Sequence, residues 1–128
     1  MSIYVYNRTK EDYSFHENNY YIGRSKEGNI LGNPYSHLPE DKTIALYKCK
    51  TAEESIERYS KYFDMMYGSN KEFTKVIDEI YEKYKSGEDI FLECWCKPSP
   101  CHGDVIKSKL EKRLFKEKVL EAKKNRKV

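Results

Sequence analysis

The chain has 128 residues, 38% of them apolar and 35% charged, with a formal net charge of +3. That length fits one domain able to build a core without disulfide or metal staples, and the charge content suits a heavily solvated surface. No apolar run approaches membrane length, and Met1 to Tyr6 is too short and polar for a signal peptide, so a soluble, cytoplasmic chain is expected.

From the N-terminus, Ser2 to Asn7 alternates Ile3 and Val5 against Tyr4 and Tyr6, the period of a short strand. Residues 8–18 are polar and read as a loop. Tyr20-Tyr21-Ile22 forms a second strand that runs into Gly23-Arg24. Ser25 to Glu40 is rich in Gly, Asn, Pro and Ser, with Gly32-Asn33-Pro34 as its strongest turn signal. A loop of this length in a small domain usually carries function. Ile44 to Cys49 is a candidate third strand.

Thr51 and Glu54 have capping-box spacing, in which the Thr hydroxyl satisfies one unpaired helix amide and the Glu another. The helix they open places Ile56, Tyr59, Phe63 and Met66 on one side and stops near Gly68. Ser69 or Asn70 caps a second helix carrying Phe73, Val76, Ile77, Ile80 and Tyr84, ended by Gly87. Ile90 to Cys96, bounded by Asp89 and Pro98, is a compact apolar run that reads as a central strand. A final helix starts near His102 to Asp104, buries Ile106, Leu110 and Leu114, and is expected to fray from about Lys118. The pattern is α/β: a two- or three-layer domain over residues 1–118, with a short central sheet of about three or four strands packed by three helices. Residues 119–128 form a basic helix end or tail.

Charge is unevenly placed. Val105 to Val128 holds ten Lys or Arg against three Glu, so residues 1–104 carry a net −4. A basic last helix can track nucleic-acid phosphates. Glu111, Glu117 and Glu121 are interleaved at spacings that allow i,i+4 pairs, which favours a solvated face instead.

The chemistry-bearing residues cluster late in the chain. With four cysteines and no sign of secretion, reduced thiols are expected to serve as ligands, nucleophiles or packing groups. Alternation puts Cys94 and Cys96 on one face of their strand and Trp95 on the other. The chain then turns through Lys97 to Pro100 and enters a helix at Cys101-His102-Gly103-Asp104. Ligands of α/β folds bind beyond the carboxyl ends of the strands, and the helix dipole favours an anion there. In that reading Gly103 permits close approach by a phosphate, and Asp104 either caps the helix or opposes the anion.

The same segment supports two other chemistries. A cysteine at a helix start beside a histidine can lose its proton readily, making Cys101 or Cys96 a nucleophile with His102 or Asp104 as acid–base group. Adjacent side chains diverge, so Cys101 and His102 need not touch. Cys94, Cys96, Cys101 and His102 also offer four zinc donors within nine residues, although the usual C-x₂-C knuckle is absent. Simple packing of a buried thiol accounts equally for Cys94. A second constellation, Tyr21-Ile22-Gly23-Arg24 with Gly32-Asn33-Pro34-Tyr35, places Arg24 at a strand end to fork onto phosphate or carboxylate, and Asn33 to read a polar edge. Its structural alternatives are an Arg24 ion pair and plain turn chemistry.

The segments Tyr21 to Arg24, Leu31 to Pro34, Cys94 to Cys96 and Pro98 to Asp104 together resemble a domain-of-unknown-function family of phage and bacterial genomes, DUF4326. The likeness covers roughly residues 20–115, and Ser25 to Ile30 looks like an insertion relative to shorter members. The resemblance implies a shared site and a phage origin, hence the host cytoplasm, and supplies no activity. The leading expectation is a binding domain for a nucleotide-like phosphorylated small molecule, such as a sequestered host signalling nucleotide. Its site would be Gly23, Arg24, Asn33, Pro34, Tyr35, Cys94, Trp95, Cys96, Cys101, His102, Gly103 and Asp104, with no metal. The alternatives are a cysteine-dependent enzyme acting on a nucleotide or N-glycoside, and a zinc-stabilised nucleic-acid or protein interaction module.

Overall fold

The computed structural model describes residues 2–23, 29–36, 47–48, 50–95, 97 and 101–126. The strands are β1 (Ile3–Asn7), β2 (Asn19–Tyr21), β3 (Tyr35–Ser36), β4 (Tyr47–Lys48) and β5 (Ile90–Cys94). The helices are α1 (Ala52–Met66), α2 (Lys71–Lys85) and α3 (His102–Arg126). The main sheet has the order β1-β5-β2, with both pairings parallel. β3 and β4 form a separate parallel pair. Of the expected third strand, Ile44 to Cys49, Tyr47–Lys48 is a strand that pairs with β3 and not with the central sheet, and the other positions lie outside the described residues.

Central placement makes β5 buried at all five positions. Its Ile90, Leu92 and Cys94 face the helices, where they meet Ile3, Ile22, Tyr59, Phe73, Ile77, Ile80, Ile106 and Leu110 in one core. A parallel sheet needs cover on both faces. The opposite face is covered by the 8–18 loop: Tyr13 stacks on Phe91 at 4.7 Å, and His16 lies against the same ring at 4.7 Å. The molecule is thus an α/β domain with three helices on one side of a three-stranded parallel sheet and an aromatic loop on the other.

The helix boundaries follow local chemistry. The Thr51 hydroxyl accepts from the Glu54 amide at 3.1 Å, while the Glu54 carboxylate reaches back to the Lys50 amide, one residue earlier than an ideal capping box. Asn70 caps α2 by accepting from the Phe73 amide at 2.9 Å. Gly68 and Gly87 follow α1 and α2 with φ of 90° and 100°, a conformation that side chains disfavour and that stops a helix. α3 differs from expectation. It does not fray at Lys118 but continues to Arg126, although Leu114 is its last buried apolar residue. The continuation consists mostly of good helix formers, Lys, Leu, Glu, Ala and Arg, which extend a helix already nucleated by the packed part of α3.

Candidate functional site

Because all three strands of the main sheet run the same way, Asn7, Tyr21 and Cys94 end on one edge, and α3 begins there. The docking of that helix is specific. The imidazole Nε2 of His102 lies 2.7 Å from the Ile22 carbonyl oxygen. A carbonyl only accepts, so Nε2 carries a hydrogen, and Nδ1 faces the Cys101 sulfur at 3.7 Å. The ring of Tyr59 packs edge-on against His102 at 4.8 Å, and its hydroxyl donates to the Leu31 carbonyl at 2.8 Å. Burial of Tyr59 pushes its ionisation far above the ordinary tyrosine value. Cys101 and His102 therefore do touch, and both are buried, at 1% and 7% exposure.

The first turn of α3 is satisfied from within the chain. Asp104 accepts from the Cys101 amide through Oδ2 at 3.1 Å, and the Asp104 amide donates to the Cys101 carbonyl at 3.0 Å. The Gly103 amide donates to the Cys101 sulfur at 3.4 Å. Asp104 is thus the helix cap, one of its two expected roles, and its Oδ1 is 2.7 Å from Lys97 Nζ. Gly103 also has a packing use. A Cβ there would come within 2.7 Å of both Ile22 Cδ1 and Val5 Cγ1, so the missing side chain makes room for the sheet.

Preceding this turn, Asn7 fixes the chain as it leaves β5. Its Nδ2 donates to the Trp95 carbonyl at 3.0 Å and to the Lys97 carbonyl at 3.1 Å. Trp95 is 59% exposed and not packed under a helix; its indole N–H donates to the Tyr21 hydroxyl at 2.8 Å. Asn29 donates to the carbonyls of Tyr21 and Gly23, each at 2.8 Å, closing the two ends of the segment that contains Arg24. Asn33 is buried and donates to the Ser55 hydroxyl at 2.8 Å, so its amide ties the loop to α1. Pro34 follows it half-buried, and Tyr35 lies in β3. Arg24, Cys96 and the Pro98 to Pro100 turn lie outside the described residues.

Several residues that the sequence reading passed over come together at the same edge, on the face away from the helices. Parallel register aligns Tyr6, Glu93 and Tyr21 across the three strands. Glu93 is 6% exposed; its Oε1 accepts from Asn19 Nδ2 at 3.2 Å and lies 3.3 Å from the Tyr6 hydroxyl. The Tyr6 hydroxyl hydrogen is directed at Asn19 Oδ1, the nearer of its two acceptors. Burial, and then the neighbouring Glu93 carboxylate, push the Tyr6 ionisation up to about 12. The available signal was an acidic residue inside an otherwise apolar central strand.

Other expected chemistries find less support in the described residues. Among them, no group of three or more His, Cys, Asp or Glu is placed to hold a metal ion; Cys96, one of the four zinc candidates, is not described. On α3, Lys109 pairs with Asp64 of α1 at 2.9 Å and Arg113 with Asp78 of α2 at 3.0 Å, so part of the basic charge serves helix packing. A groove along α1 lined by Glu54, Glu57, Arg58, Lys61, Tyr62 and Met65 includes none of the strand-edge residues. No described helix is long and apolar enough to cross a membrane.

No curated protein and no solved structure matches the chain. The family model described as Domain of unknown function (DUF4326) matches residues 5–112, a span that takes in the end of β1, the Tyr21 to Gly23 strand end, the Cys94-Trp95 edge and the start of α3. The chain belongs to the DUF4326 family.

Proposed function

We propose that the chain binds a nucleotide-like, phosphorylated small molecule at the carboxyl edge of its parallel sheet. The observation that carries this reading is Trp95, a large aromatic ring held exposed at the strand ends by its indole bond to Tyr21 and by the grip of Asn7 on its carbonyl. An exposed, oriented ring is a stacking platform for a flat base, a contact worth about 1–3 kcal/mol. Lys97, beside the α3 start, supplies a positive charge for the phosphate, with Arg24 as the second candidate. Asp104 occupies Lys97 and caps the Cys101 amide, so an arriving phosphate competes with this carboxylate for both. Binding without turnover fits a sequestering role, including that of a phage protein holding a signalling nucleotide in the host cytoplasm.

Trp95 is the single tryptophan of the chain, so its fluorescence reports the site directly. Titration with ribonucleoside mono- and diphosphates is expected to quench it saturably. Lys97→Ala weakens binding, and Asp104→Asn, which keeps a capping oxygen, strengthens it. Absence of quenching by every nucleotide, confirmed by calorimetry, removes the proposal.

A cysteine-dependent reaction on a nucleotide or N-glycoside is the second reading, favoured by the contact between the Cys101 sulfur and His102 Nδ1. It requires the buried thiol to become accessible. Cys101→Ser would then abolish turnover while leaving binding intact, whereas a binding protein loses nothing.

A further inference from the structure

The Glu93 carboxylate is costly where it stands. It is 6% exposed and lies in the central strand; among the described residues its polar contacts are all at Oε1, which accepts from Asn19 Nδ2 and lies 3.3 Å from the Tyr6 hydroxyl. Among the described residues no Lys, Arg or His forms an ion pair with it. Burying a carboxylate with partial hydrogen bonding and no cation is strongly unfavourable, and an apolar residue would serve the sheet better. Packing does not by itself require an acid here, since Phe91, two residues earlier in the same strand and on the same face, is accommodated by stacking on Tyr13. An acid facing the carboxyl edge of a parallel sheet stands where α/β folds place their ligand-contacting groups.

Its neighbours define the chemistry. Tyr6, Asn19 and Tyr21 line the same face with groups that both donate and accept, and Trp95 follows Glu93 by two residues, about 6–7 Å along an extended chain. A carboxylate with an open oxygen beside hydroxyl and amide groups, next to an aromatic platform, matches a ligand presenting hydroxyl donors adjacent to a flat ring. We infer that Glu93, supported by Tyr6 and Asn19, receives the vicinal hydroxyls of a pentose, and so selects ribose-bearing ligands over those lacking these hydroxyls. The inference rests on the binding site proposed above and adds the ligand class that this site accepts.

The test titrates the wild-type chain and Glu93→Gln with the four ribonucleoside 5′-monophosphates, their 2′,3′-dideoxy counterparts and ribose 5-phosphate, with binding read by calorimetry and folding by thermal midpoint. The wild-type chain is expected to prefer a ribo form by about tenfold or more, as a site built to bond a hydroxyl rejects its absence. Glu93→Gln keeps its midpoint within a few degrees, binds the dideoxy form like wild type, and loses the ribo preference. If Glu93→Gln fails to fold, Glu93→Asp, which keeps the charge and retracts it, is expected to give the same loss. Equal wild-type affinity for ribo and dideoxy forms overturns the inference, as does a ribo preference that persists in the variants; either result leaves the nucleotide site standing. Binding of ribose 5-phosphate that depends on Glu93, with no nucleotide bound, upholds the inference and removes the base from the proposed ligand. If no probe binds the wild-type chain, both readings fall.

Discussion

Gly103 and His102 illustrate how much of the α3 docking depends on single atoms. A methyl group at position 103 would meet Val5 Cγ1 and Ile22 Cδ1 at 2.7 Å, and neither the short Val5 branch nor the buried Ile22 side chain can move away without disturbing the core. Gly103→Ala is expected to cost about 1–3 kcal/mol, the range for overpacking a filled interior, measured by urea denaturation. A change below about 0.5 kcal/mol would show that α3 docks less tightly than this contact requires. Next to it, His102 spends its Nε2 hydrogen on the Ile22 carbonyl. His102→Ala leaves that acceptor without its donor and opens space beside Tyr59, for an expected loss of about 2–4 kcal/mol. Both variants test the conclusion that the Cys-His-Gly-Asp motif first of all locks a helix onto strand ends. Its residue types had suggested exposed chemistry. Sequence could not distinguish these uses, because whether an amide or a thiol faces solvent depends on which strand lies across from it.

At the scale of elements, the helices were legible because their signals are local. Thr51, Asn70, Gly68 and Gly87 act within four residues of their own positions, and each acts where the chain pattern places it. The strands were legible in position but not in partnership. Nothing in Ile3 to Asn7 or Asn19 to Tyr21 states that β5, some seventy residues later, inserts between them. Tyr81, fully buried, is absent from the apolar stripe read for α2, and the Arg113 guanidinium lies 3.8 Å over its ring from α3, a contact across two helices. The far end of α3 is the element least tied to the rest. Beyond Leu114, Phe115 and Leu120 are exposed and Val119 is only half-buried, while Glu117 makes its ion pairs with Arg113 and Lys85. A chain ending at Lys118 is therefore expected to melt within a few degrees of the full chain, since a largely exposed segment contributes little. A drop of ten degrees or more in calorimetry would mean that residues 119–128 contribute to the fold.

For the molecule as a whole, the basic helix is held against the acidic remainder partly by charge. Asp78 accepts from the Tyr67 hydroxyl at 2.5 Å and pairs with Arg113 at 3.0 Å, and the first and then the second of these hold its carboxyl below the usual carboxylate range. A carboxyl depressed in the folded state stabilises above its unfolded value, near 4, and that contribution disappears as pH falls through the folded value. Thermal midpoints are expected to decline below about pH 4, and Asp78→Asn should reduce the midpoint at neutral pH while flattening part of that decline. The half-exposed pair limits the effect to about 0.5–1 kcal/mol. An unchanged acid profile in Asp78→Asn would assign the decline to other carboxylates.

By itself the sequence determined the α/β class, the three helices with their caps and stops, the central apolar strand and the position of the helix that follows it. All of these depend on periodicity and on groups within a turn of one another. It also brought Trp95 and the Cys101 to Asp104 segment into a single neighbourhood, because seven residues span the distance between them. Only the tertiary structure decided that Cys101 and His102 are buried, that Asn33 is committed to Ser55, and that Tyr6, Glu93 and Tyr21 form one row with Asn19 on the same face beside them. These outcomes are set by strand order and register, through which residues far apart in the chain exclude water from one another, and a one-residue shift of register would send each side chain to the opposite face.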